Sequence, residues 1–418
     1  MFRNLIKSPH PEPVNSSCLG LKFLVTLFFI SLLTNARCQA WERLDDFPAA
    51  QRDDGLAFVI GNNAYCGTGL QAGWTETRDF HAFNMSTKQW TRISSLPSGE
   101  ERQYASGFAS SERGFVFGGV NAGTFLNDLW EYYPGSNTWL EKSSLPFLGR
   151  SGAASFVIDN IAYIVGGKTL LSPASNEVWA YDISNDSWQQ KNNLPFSGRF
   201  RASAAAENNK GYFLFGKDEN NQFYNELYQY DPLLDSWIRV GQFPDAGRSH
   251  SSLIALSRHL IVFSGIDSAS HYYHDTWTFN LKESVWTQID SLPSLGRKGG
   301  ICFSNGTDFF YSTGINQENL RLKETWQCIK PIKSSATKEI FAFAYPNATA
   351  DKFILELPDF RASEIYYLTI SNNFGEIVIK DLITKRETPI DLTLLARGLY
   401  FISIQKGENF LVRKVIKH

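Results

Sequence analysis

Apolar residues along this chain fall in short runs, broken at close intervals by Gly, Asn, Asp and Pro. From Arg150, "RSGAASFVIDN" is a small-residue run and "IAYIVGG" an apolar, β-branched run ending in Gly. "NEVWAYDISNDSW" then gives a third run, a polar turn and the start of a fourth, which stops at a Leu-Pro. Short runs between turn signals predict β-strands.

The pattern repeats at a fixed interval. Trp recurs at Trp41, Trp90, Trp139, Trp188, Trp237 and Trp286, always forty-nine residues apart. Pro48, Pro97, Pro146, Pro195, Pro244 and Pro293 each follow seven residues later. Gly69, Gly118, Gly167, Gly216, Gly265 and Gly314 stand twenty-eight positions after the Trps. Ten further on comes an acid: Asp79, Asp128, Glu177, Glu226, Asp275 and Glu324. Four strands per repeat, six times over, predict an all-β, six-bladed β-propeller.

Each repeated residue has a physical task. Small residues after the Arg (Ser151, Gly152, Ala153) suit an innermost strand, where blades crowd the axis. Pro146 lacks an N–H and so ends the fourth strand where the chain leaves for the next blade. The Trps supply bulk between neighbouring sheets. The first copy opens with a fourth-strand Trp and the last stops after its third strand. "WERLDDFP" (residues 41–48) is therefore expected to complete the last blade, pairing the chain ends and leaving no open edge.

A Gly or Gly-Gly after an apolar strand ("FVFGG", "YIVGG"), an aromatic-aspartate pair ("AYD", "QYD") and a Trp before Leu-Pro together resemble the kelch repeat. The resemblance runs from Trp41 to about Lys330. Two copies depart from it: His81 stands where most have Trp, and Glu101 where the other five have Arg, with Arg102 beside it. Some six-bladed kelch propellers that this chain resembles epimerise sialic acids, so an epimerase is the alternative that the likeness implies to a binding module.

After a polar linker, residues 331–339, the period ends and alternating runs such as "KFILEL", "IYYLTISN" and "LYFISIQ" predict a small Ig-like β-sandwich over 340–418. "YPNATADKFILEL", "LTISNNFGEIVIKD" and the terminal "LVRKVIKH" resemble the C-terminal sorting domain of type IX secretion cargo. That resemblance implies the secretion machinery as a partner. It also implies outer-membrane translocation in a Gram-negative bacterium, the body being secreted or displayed on the surface. The other end agrees. Lys22 precedes an apolar run from Phe23 to Leu33, which reads as a signal peptide within residues 1–40, preceded by a long Pro-rich extension. No transmembrane segment is expected in the mature chain.

Composition adds exclusions. A net charge of -2 offers no basic field for nucleic acid. Cys66, Cys302 and Cys328 are an odd, scattered set, expected as small buried hydrophobes and not as a disulfide framework or metal site. No P-loop, G-x-S-x-G or H-E-x-x-H occurs, and no cofactor is expected. The histidines nearest one another, His250, His259, His271 and His274, lack recognisable metal-ligand spacing.

The candidate site is a column of arginines. Arg52, Arg150, Arg199, Arg248 and Arg297 stand eleven residues after the Trps, at the start of each innermost strand. Two readings are open. The arginines pair with the repeated acids and staple the blades, or they ring the axial mouth and take an anionic ligand. Loops at the same mouth carry Trp74, Phe125, Phe223, Tyr224, Tyr272 and Tyr273, candidates to contact a glycan, peptide or protein, or to pack onto the propeller.

Overall fold

The computed structural model describes residues 41–329 and, towards the C-terminus, 342–345, 348–349, 351–358, 360–406 and 409–418. The leader, Cys38 and the linker lie outside the described residues. Among those described there is no helix, and so none long and apolar enough to cross a membrane.

Six four-stranded antiparallel sheets follow one another along the chain. Blade one comprises Leu56–Ile60, Asn63–Gly67, Phe80–Asn84 and Gln89–Ile93, from the axis outwards. Each later blade repeats that order, and each innermost strand lies beside the next until blade six returns to blade one. Blade six is assembled from both ends of the propeller. Its inner strands Ile301–Ser304, Phe309–Ser312 and Thr325–Cys328 are completed by Trp41–Leu44, with Trp41 opposite Cys328 and Leu44 opposite Thr325. The last strand of the propeller is thus paired on both sides, and the first strand of the described chain is held in the same sheet.

The core is divided into wedges between blades. Phe58, Phe80 and Tyr132 fill the wedge between blades one and two; Phe156, Phe213 and Tyr230 fill that between three and four. The outer-strand Trps also reach across blades. Indole N–H groups of Trp90, Trp139, Trp188 and Trp41 donate to the carbonyls of Asp45, Ser94, Ser143 and Asp290. Those acceptors share one repeat offset, four residues after the preceding outer-strand Trp. Trp therefore has two tasks, bulk and a directed hydrogen bond. Cys66 and Cys328 are buried, Cys302 is half-buried, and all three are free thiols.

The C-terminal domain consists of a three-stranded and a five-stranded sheet. Phe353, Leu355 and Ile390 from one, with Leu368, Ile370, Ile402 and Ile404 from the other, form a shared core, as in a sandwich.

Candidate functional site

The arginine column lies inside the blades. Arg52, Arg150, Arg199, Arg248 and Arg297 are each at most 1% exposed. Arg52 meets Asp79 at 2.8 Å, Arg150 meets Glu177 at 2.7 Å, and Arg199 meets Glu226 at 3.1 Å. Arg248 meets Asp275 at 2.7 Å, and Arg297 pairs with Glu324. In blade two Arg102, one residue late, takes the same place against Asp128 at 2.8 Å. Each guanidinium also donates to a carbonyl at the end of its blade's second strand, as from Arg199 to Phe215 at 3.3 Å. This corrects the expectation of an arginine-lined mouth. A buried guanidinium needs a counter-charge close by, and the repeated acid supplies it within the blade, although Nε of Arg150, Arg199 and Arg248 has no partner.

Two of the loop aromatics belong to the same staple. Tyr224 and Tyr273 lie 4.0 and 3.5 Å from the guanidinium carbons of Arg199 and Arg248, and their hydroxyls donate to Asp218 and Asp267. Phe125 is half-buried. Phe223 and Tyr272 stand over the ammonium groups of Lys217 and Lys298, at 5.3 and 5.5 Å, and Trp74 is 75% exposed.

The axis is occupied by different residues, two positions after each arginine. They are Asp54, Tyr104, Gly152, Arg201, His250 and Gly299, and their backbones form a closed ring of six hydrogen bonds. Each N–H donates to the carbonyl one blade back: Tyr104 to Asp54, Gly152 to Tyr104, Arg201 to Gly152, His250 to Arg201, Gly299 to His250 and Asp54 to Gly299, over 2.7–3.2 Å. All six have a left-handed backbone, φ between 54° and 64°. Glycine adopts it freely, and at Gly299 a Cβ would collide with the Asp54 carboxylate. Asp54, Tyr104, Arg201 and His250 hold it at a cost of about 1 kcal/mol or more each.

These four side chains line a cavity of about 140 Å³ on the axis. The Arg201 guanidinium carbon lies 4.2 Å from the Tyr104 ring, and the Tyr104 and His250 rings are 6.0 Å apart. Burial, and then the charge of Asp53, raise the Asp54 carboxyl to about 7, although Arg201 and the Tyr104 hydrogen bond pull it down. Asp53 itself is held by Arg321 at 2.6 Å. Burial, then Arg201, Lys298 and Lys217, keep His250 neutral; its Nδ1 meets the Ser249 hydroxyl at 3.0 Å, while Nε2 has no partner. Lys217 is lowered by burial and then by Arg201, Lys298 and Lys168. One side of the mouth is thus crowded with cations.

Comparison with known proteins agrees with this architecture. Residues 64–267 match the Attractin/LZTR1 β-propeller family, and residues 344–418 match the secretion system C-terminal sorting domain. The chain is a kelch-type β-propeller with a C-terminal secretion sorting domain. Its fold is similar to the solved structure of YjhT, with a TM-score of 0.58 at 17% identity, covering 68% of this chain and 95% of that one. Among curated proteins, N-acetylneuraminate epimerase of Pasteurella multocida (strain Pm70) is 30% identical over 154 residues, 35% of this chain and 39% of that protein. The epimerase of Escherichia coli O1:K1 / APEC is 27% identical over 148 residues, 34% of this chain and 38% of that protein. These matches span about two fifths of those relatives' own length. The type IX-type sorting domain marks this propeller for the bacterial surface or exterior.

The axial residues escaped the sequence reading because it followed what recurs. Their signal was the opposite one. Two places after each arginine, copies three and six have Gly, whereas copies one, two, four and five carry Asp54, Tyr104, Arg201 and His250.

Proposed function

We propose that this propeller is exported through a leader within residues 1–40 and the type IX route, and binds an anionic ligand at its axial mouth. A carboxylated glycan is the class that fits best. One observation carries the binding: four functional side chains occupy a ring position whose backbone favours glycine, within the field of the cations Lys217 and Lys298. Strain kept at a ligand-sized opening points to use. A cavity of about 140 Å³ seats a carboxylate-sized group, leaving the body of the ligand outside it, where Phe223 and Tyr272 sit beside Lys217 and Lys298. Arg201 supplies the planar, bidentate donor that a carboxylate prefers. Calorimetry with N-acetylneuraminate tests this. Arg201→Ala should weaken binding at least tenfold with the melting temperature unchanged, and unaltered affinity in that variant refutes the reading.

A second reading is favoured by Asp54. A carboxyl poised at about 7 in the same cavity as a neutral imidazole is suited to proton transfer in both directions. Epimerisation at an anomeric centre needs that: one group removes the hydroxyl proton while another protonates the ring oxygen as the C–O bond opens. The relatives' names support this class of activity. Exchange NMR on N-acetylneuraminate separates the two readings. Acceleration that disappears in Asp54→Asn supports the enzyme; anomer exchange at the buffer rate leaves the binding module.

A further inference from the structure

The two departures from the repeat noted in the sequence meet in space. His81 and Glu101 line one cleft of about 670 Å³ at the flank of blade one. Elsewhere the position of His81 is filled by an aromatic. Trp130, Trp179, Trp277 and Trp326 lie there with their indole N–H groups donating to the blade's acid at 2.7–3.3 Å, and blade four has Tyr228. In blades three and four a Phe after the repeated Pro stacks on that aromatic, Phe147 on Trp179 and Phe196 on Tyr228. Blade one has Ala49 in place of that Phe. Both fillers are therefore missing from the same blade, and the space they would occupy is open.

What remains is polar and balanced. His81 is 5% exposed, and its Nδ1, 3.8 Å from Asp79, has no hydrogen-bond partner. Burial lowers its basicity, with Asp79 opposing and Arg52 and Arg92 assisting, so the imidazole is neutral. Of the charged groups lining the cleft, Arg52 pairs with Asp79 at 2.8 Å and Arg78 with Glu101 at 3.0 Å, while Arg92 and Glu76 complete an even count of charges. Trp90 gives an aromatic wall.

We propose that this cleft is a second ligand site, separate from the axial mouth, and that it binds a neutral sugar unit. The chemistry selects that class. Balanced charge gives an ion no net attraction, whereas alternating carboxylates and guanidiniums accept from and donate to neighbouring hydroxyls. An indole face covers the apolar C–H side of a pyranose. The volume lies within the range of small-molecule sites.

The test refills the cleft. Saturation-transfer NMR is run on the folded protein with glucose, galactose, mannose and N-acetylglucosamine, each at millimolar concentration. At least one should receive saturation from the wild type. His81→Trp, which restores the repeat residue, should abolish that transfer while keeping or raising the melting temperature. Ala49→Phe closes the same space from the opposite wall and serves if His81→Trp misfolds. Arg201→Ala should leave the transfer intact, as should saturating N-acetylneuraminate. No transfer to any of the four sugars, transfer that survives refilling, or displacement by N-acetylneuraminate would each overturn the proposal.

Discussion

Arg199 and Arg201 are two residues apart and have opposite tasks. Arg199 is buried against Glu226, so Arg199→Ala leaves a half-buried carboxylate and the Phe215 carbonyl without their donor. The loss should be roughly 1–3 kcal/mol by chemical denaturation, with anion affinity per folded molecule unchanged. Arg201→Ala should show the reverse. Asp54 adds a pH signature. Its folded-state carboxyl is raised to about 7 from an ordinary 3.8, so the native protein holds this proton more tightly than the unfolded chain. The stabilisation is complete below pH ~4 and is lost as pH rises towards 7. Asp54→Asn should flatten the fall in melting temperature across that window; an unchanged slope would show that Asp54 titrates normally. Which arginine was structural could not be read from residue type, because an offset of two residues separates a side chain inside a blade from one at the axis.

At the scale of elements, the closing strand decides whether the ring holds. Trp41 is 3% exposed, meets Phe309 edge-on at 5.0 Å, and donates to the Asp290 carbonyl. Trp41→Ala should destabilise by about 3–5 kcal/mol, the range for removing a large buried aromatic. A loss below ~1 kcal/mol in urea unfolding would mean that the ring holds without this strand. The strands themselves were legible, since short apolar runs and recurring Pro mark where each begins and ends. Blade two shows the limit of reading by count. Arg102 stands one residue late, yet its side chain reaches Asp128 as its counterparts reach their acids. Side-chain chemistry, not position in the count, fixed the pairing.

The whole molecule joins a closed ring to a sorting domain. Each has its own core, in wedges between blades and between two sheets. A chain ending at residue 337 should therefore keep the propeller's unfolding transition while remaining in the periplasm; normal surface delivery of that truncation would refute the sorting role. The sequence alone determined the period, the number of blades, the all-β class and the secretory character of the tail, because these follow from patterns that repeat or match over many residues. Only the tertiary structure decided which side chains meet. Ring closure gathers six positions forty-nine or so residues apart onto one axis, and the packing of neighbouring blades puts His81 and Glu101, from different copies, in one cleft. Periodicity specifies the scaffold; the residues that break it are brought together by the packing of blades around the ring, which no single repeat encodes.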